Sequence, residues 1–330
     1  MGSSDQIPPP ISPEFRAVFL RHADAAGTLT FARFMELALY DPAIGYYRRN
    51  RPRVGYGPGT DFFTASTSGP IFGELVIAAC ASMLGAREPC DYTFVELGAE
   101  TEVGVLGGLA HPFGATRTIR LGEPIVIDGK CIVFSNELFD AQPCVRTVFR
   151  GGHWIELGVR LEGDRLVETE LDENLVTPSN GPSTEGYHFD QPVAAAALAE
   201  TIAQQPWTGL FVAFDYGKSL AELTQHAPAG TVRAYYRHTQ SNDLLARPGE
   251  QDLTCHVCWD WIASALRRKG FHQPIVESQE AFFIRHAAAF IAATSTAEAA
   301  RFSKRKLALM QLLHPAHLGQ KFQVLHALRD

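Results

Sequence analysis

No stretch of this sequence is apolar for long enough to cross a bilayer. The longest such run, PVAAAALAETIA at 192–203, is Ala-rich and falls well short of the roughly 20 residues a membrane helix needs. An excess of positive charge is also missing. Asp and Glu outnumber Lys and Arg by 36 to 29, the net charge is −7 and the pI is about 5.9, so no nucleic-acid partner is expected. Cysteine is scarce and scattered: Cys80, Cys90, Cys131, Cys144, Cys255 and Cys258 read as reduced thiols rather than a disulfide framework. There is no GxSxG, no Walker loop and no HExxH. Cys255 and Cys258 form a CxxC without a second pair at finger-like spacing, so no metal site is expected. The opening MGSSDQIPPPISP has neither an apolar signal region nor an Arg-rich amphipathic helix, and the expectation is a cytoplasmic protein with no membrane contact.

What is present is ordinary globular material, 46% apolar and 20% charged over 330 residues. Ser12-Pro13 starts a helix that Gly27 would close, and Thr30 caps a second helix, FARFMELALY, which stops at Asp41-Pro42. A third begins near Gly69-Pro70. Short runs of β-branched and aromatic residues predict strands at 92–97, 130–135 and 209–217. Between the last two, Gly151-Gly152 and Gly163-Asp164 mark the turns of a three-strand antiparallel meander. PIVIDGKCIVF reads as a hairpin through Asp128-Gly129. After a helix at WDWIASALRRKG and a strand at FHQPIVESQ, two helices are expected at about 280–294 and 297–313, then a last strand, KFQVLHALR. The fold class is therefore α/β, a Rossmann-like doubly wound sheet with N-terminal helices and an inserted meander. Residues 1–90 form the helical region and a site-lining loop. Residues 91–330 form the sheet domain, with its insertion at about 144–190.

Several segments carry candidate chemistry. DFFTASTSGPIFGEL, 61–75, brings hydroxyls to a helix start. FSNELFDAQP, 134–143, delivers Asn136 and Glu137 at a strand's C-terminal end, with Asp140 shortly after. Two carboxylates and an amide can grip a nitrogen there. Asp215 ends another strand and reads as a hydrogen-bond acceptor in a turn. The Arg-rich RRNRPR reads as a solvated face or an anion grip.

Taken in order, these pieces resemble one family, the MidA-like methyltransferases, related to the mitochondrial complex I assembly protein that modifies arginine. FARFMELALYDPAIGYY is similar to the family's FxxxMxxALYxPxxGYY, DFFTASTSGPIFGEL to its GDFxTSPExSxxFGEL, and FSNELFDAQP to its NExFDALP. VAFDYG, TVRAYYRHTQSNDLLARPGEQDLTCHV and LGQKFQVL resemble later motifs, so the likeness spans nearly the whole chain. It implies a class I fold, S-adenosylmethionine as cofactor, and methyl transfer to a protein nitrogen such as that of arginine. Glu96 and Gly98 then match the first cofactor motif, and Thr64, Ser66 and Glu74 the site-lining segment. Asn136, Glu137 and Asp140 match the acceptor segment, where catalysis would occur. Glu123 stands where a ribose-binding acid is expected.

One segment departs from the family. Where the pattern has ELGPGxGTL, this chain has ELGAETEVG, losing two glycines and gaining Glu100 and Glu102. Side chains forced to positive φ there would cost roughly 1–3 kcal/mol, and EVGVLGGLAHPFGA is a poor helix because interior glycines destabilise it. The segment from Gly98 to the strand at 130 has room for at most one βαβ unit. Two functional expectations follow: a methyltransferase acting on a partner protein, and a catalytically inactive family member that binds a protein or assists assembly.

Overall fold

The computed structural model describes residues 10–49, 51, 53, 60–61, 68–171, 184–299 and 303–330. A boundary near residue 90 is expected from sequence. The contacts instead group the chain into two units, each drawn from three stretches: 1–62, 141–195 and 218–258 in the first, and 63–140, 196–217 and 259–330 in the second.

In the first unit, Ser12 and Thr30 cap the helices Pro13–His22 and Phe31–Tyr40 by accepting the N–H groups of Phe15 and Arg33. The first helix ends before Gly27. Asp24 closes the chain instead, its carboxylate accepting the N–H groups of Ala26 and Thr28. The meander forms as expected, with strands Val145–Arg150, His153–Glu162 and Arg165–Glu170 all antiparallel. Its first turn has Gly151 and Gly152 at φ 57° and 84°, the pair of left-handed residues a tight hairpin requires. Strands Thr28–Thr30 and His188–Gln191 widen this sheet. Arg146 crosses its surface to Asp190 (2.6 Å) and Glu168 (2.8 Å). Asp190 is also the acceptor for the N–H groups of Thr231 and Val232.

The second unit holds a six-stranded sheet. Its elements are α1 (Pro70–Met83), β1 (Thr93–Leu97), β2 (Ala115–Ile119), β3 (Gly129–Asn136), β4 (Trp207–Asp215), α2 (Trp259–Arg268), β5 (His272–Ser278), α3 (Gln279–His286), α4 (Ala288–Ala297), α5 (Lys304–Leu313) and β6 (Gln323–Arg329). The strand order is β5-β6-β4-β3-β1-β2, and only β6 runs against its neighbours. Side chains alternate across a strand, so Phe94, Phe134 and Phe214 share one face. There they pack with Phe72 of α1 and Phe283 of α3, ring centres 5.4–6.5 Å apart. On the opposite face Phe211 meets Phe271, which lies between α2 and β5.

Two expectations fail here. The Asp128-Gly129 hairpin does not form: 120–128 has no strand, and β3 starts at Gly129 and pairs parallel to both β1 and β4. Central pairing on two sides outweighs the local turn signal. The Ala-rich C-terminal helices also break differently, at Ala287 and after Ala297, giving three helices rather than two. As the glycine-rich composition indicated, 98–114 forms turns and no helix.

Candidate functional site at the carboxyl edge of the sheet

β1, β2, β3 and β4 are parallel, so their C-terminal ends share one rim, where ligands of open α/β sheets bind. Glu96 lies opposite Phe134, and Asn136 opposite Phe214. Glu96 and Asn136 therefore project to the same face of neighbouring strands. Glu137 follows at once, its N–H donating to the Phe214 carbonyl at 2.9 Å. It is one of four non-glycine residues with positive φ among those described, at 52°. Side chains seldom adopt that conformation, and it recurs where a site dictates the backbone. Asn136 Nδ2 donates to Glu137 Oε1 at 3.0 Å, while Asn136 Oδ1 is buried with no hydrogen-bond partner among the described residues.

Asp215 organises the turn that follows. Its Oδ2 accepts the N–H groups of Phe139 and Asp140, and its Oδ1 accepts that of Tyr216. Burial pushes this carboxyl upward while the N–H donors pull it down. Asp215 thus has the acceptor role its position indicated, and Asp140 is buried in the turn it holds.

The cofactor side has a different character. Gly98 takes φ 73°, and its N–H donates to Ile119, tying the ends of β1 and β2. The loop beyond then folds back over those ends. Val105 N–H donates to Glu96 Oε2 at 2.6 Å, Thr118 Oγ1 donates to the Glu102 carbonyl at 3.1 Å, and Glu102 pairs with Arg120 at 3.5 Å. Gly104 sits so close that an added Cβ would lie 2.2 Å from Glu96 Oε2. Burial under this loop raises the Glu96 pKa from 4.5 to about 7, with the Val105 N–H pulling the other way. The steric strain expected at the lost glycines is not found. Ala99, Glu100, Thr101 and Glu102 have no positive φ, and the left-handed turns fall on Gly98, Gly104 and Gly108. The loop follows another path, and that path supplies its own partners to the β1 and β2 ends.

Of the remaining expected residues, Glu123 is exposed and its carboxylate accepts the Arg120 N–H at 2.8 Å, closing the turn after β2. Glu74 pairs with Arg305 of α5 at 2.5 Å, an assignment no local pattern could reveal. Thr64 and Ser66 lie outside the described residues. Of the arginines in RRNRPR, Arg51 reaches the buried Asp61 at 2.6 Å and Arg53 donates to the Tyr47 and Arg49 carbonyls, whereas Arg48 is exposed. Sequence reasoning missed the Val105 N–H and the Thr118 hydroxyl. Both depend on the path of the loop, which leaves no signature in residue type.

S-adenosylmethionine is the cofactor the resemblance implies. The acid at the end of β1 and the hydroxyl on β2 are already engaged by the chain itself. With the 98–105 loop on this path, these residues do not fit the cofactor.

Comparison with known proteins places the chain. A family profile described as "Putative S-adenosyl-L-methionine-dependent methyltransferase" matches residues 119–276. The mitochondrial protein arginine methyltransferase NDUFAF7 homolog of Caenorhabditis elegans is 23% identical over 300 residues, covering 73% of this chain and 69% of its own. The mitochondrial protein arginine methyltransferase NDUFAF7 of Danio rerio is 25% identical, covering 72% and 68%. A solved superfamily member from Burkholderia thailandensis, bound to S-adenosyl-homocysteine, superimposes with a TM-score of 0.82 at 24% identity over 98% of this chain and 95% of that one. The α/β fold, a mixed sheet with antiparallel insertions, is thus the class I methyltransferase fold. Among the described residues no helix is long and apolar enough to cross a membrane. Motif order and profile agree: the chain resembles the MidA-like methyltransferases, the profile of putative S-adenosylmethionine-dependent methyltransferases matches nearly half of it, and its fold is that of the solved superfamily member.

Proposed function

We propose that this chain uses the methyltransferase fold to hold a nitrogen-bearing side chain of a partner protein, arginine being the best match, and that its own loop has taken over the cofactor edge. One contrast carries this reading. On the acceptor side, Asn136 Oδ1 is a buried acceptor with no hydrogen-bond partner among the described residues, beside the carboxylate of Glu137. On the cofactor side, Glu96 and Thr118 are bonded to the 98–105 loop. A guanidinium is planar, permanently charged and has five donors, so an amide oxygen and a carboxylate side by side suit it.

A second reading, methyl transfer to protein arginine, is favoured by the shared face of Glu96 and Asn136 and by the names of the two mitochondrial relatives. It requires the loop to leave Glu96. Calorimetry with S-adenosylmethionine and S-adenosylhomocysteine separates the two: millimolar or absent binding is expected, and micromolar binding would establish the second reading instead. The acceptor side is tested independently by nuclear magnetic resonance. N-acetyl-arginine amide should shift the Asn136 side-chain amide resonances in the native chain and not in Glu137→Gln. No shift in the native chain would overturn the arginine assignment.

A further inference from the structure

Away from the rim, β5, β6 and the end of α3 bring three potential ligands together. Glu277 lies opposite Val324 and His326 opposite Ile275, so both project from the same face of the β5–β6 pair. α3 begins two residues after Glu277 and returns over that face, placing His286 at its last position. His326 Nε2 lies 3.0 Å from Glu277 Oε1. His286 Nε2 lies 3.4 Å from the same oxygen, buried and outside hydrogen-bonding geometry. All three ligand atoms fall within 4.8 Å of one another.

A carboxylate oxygen accepts two hydrogen bonds, and His326 supplies one of them. The second imidazole nitrogen is turned to the same oxygen but stands at 3.4 Å, short of hydrogen-bond geometry. Two imidazole nitrogens and a carboxylate oxygen converging on one point is the arrangement a metal ion uses. Ligand atoms about 2.0–2.1 Å from a tetrahedral zinc stand about 3.3 Å from each other, and the two separations here, 3.0 and 3.4 Å, bracket that spacing. Phe282 packs on both rings, 5.1 Å from His286 and 5.6 Å from His326, and so fixes their orientation. Arg285 holds the other carboxylate oxygen at 2.9 Å. It orients Glu277 and also competes for its charge.

We propose that Glu277, His286 and His326 bind one divalent transition-metal ion, zinc being the best match, with water completing the coordination. Two imidazoles and one carboxylate form a ligand set of the borderline-soft, three-protein-ligand kind. The ion would fasten the edge strand β5 and the end of α3 to β6. No motif spacing betrays the site, because its ligands come from two strands and a helix end.

The test uses the full chain, stripped with a chelator, dialysed and titrated with Co²⁺ by visible absorption and with Zn²⁺ by calorimetry. One equivalent of Co²⁺ should bind with ligand-field bands of low-coordinate geometry, and Zn²⁺ should displace it. Outer-shell partners alone are worth roughly 10–100-fold in affinity, so losing a ligand in His286→Ala should weaken binding at least about tenfold. Glu277→Gln, which keeps size and hydrogen bonding, should do the same should His286→Ala fail to fold. Arg285→Gln should tighten binding, an effect that a purely hydrogen-bonded cluster does not produce. His272→Ala, on β5 but with its exposed side chain near Asp330, should leave binding unchanged. Substoichiometric Co²⁺ in the native chain, or equal affinity in the native chain and both ligand variants, would overturn the proposal.

Discussion

Glu96 gives the sharpest test of the closed rim. Its carboxyl titrates at about 7 in the folded chain against an ordinary value of 4.5, because the 98–105 loop buries it. Between those values the folded state keeps a proton that the unfolded chain releases. The native chain therefore loses stability as pH rises from 4.5 to 7 and levels off above it. Each tenfold displacement of a proton equilibrium is worth about 1.36 kcal/mol, so the loss approaches about 3 kcal/mol at pH 8. The side chain is partly exposed, and solvent screening makes that figure an upper bound. Glu96→Gln removes the titration while its amide oxygen can still accept the Val105 N–H. Urea unfolding at pH 5, 6, 7 and 8 should show the variant gaining on the native chain with each step. A difference that does not change with pH would mean Glu96 is not buried beneath the loop, and the closed-rim reading would fall with it.

Two further expectations follow from single groups. Gly98→Ala forces a side chain into φ 73° with Leu138 Cδ1 2.9 Å away, and should lower unfolding stability by about 1–3 kcal/mol at every pH, measured by denaturant melts. Asp190→Ala strands the buried Arg146 and the N–H groups of Thr231 and Val232, and should cost about 3–5 kcal/mol. A thermal midpoint within a degree or two of the native chain would refute the structural role of that pair.

Much of the fold was legible because its signals are local. Thr30 caps its helix, Gly151-Gly152 turns its hairpin, and the aromatic and β-branched runs become β1, β3 and β4. The placement of Asn136 at the end of a strand, with Glu137 directly after it, was legible as well from the apolar run that precedes them. What stayed hidden depended on distant partners. Asp128-Gly129 looks like a hairpin turn until β3 is seen paired on both sides. The break at Ala287 lies inside a continuous Ala-rich pattern. Glu74 reads as a site residue, yet Arg305, 231 positions away, engages it. The triad of Glu277, His286 and His326 exists only through the β5–β6 register and the return of α3.

The absence of a helix between β1 and β2 has a consequence for motion. β2 pairs on one side only and its first three residues are exposed, whereas β3 and β4 are buried along most of their length. Amide exchange should be fastest at this margin and slowest at the sheet's centre. The loop that covers Glu96 is moored to the margin through Thr118 and Ile119. Uncovering the acid therefore demands only a local fraying of β2, leaving the aromatic centre of the sheet undisturbed.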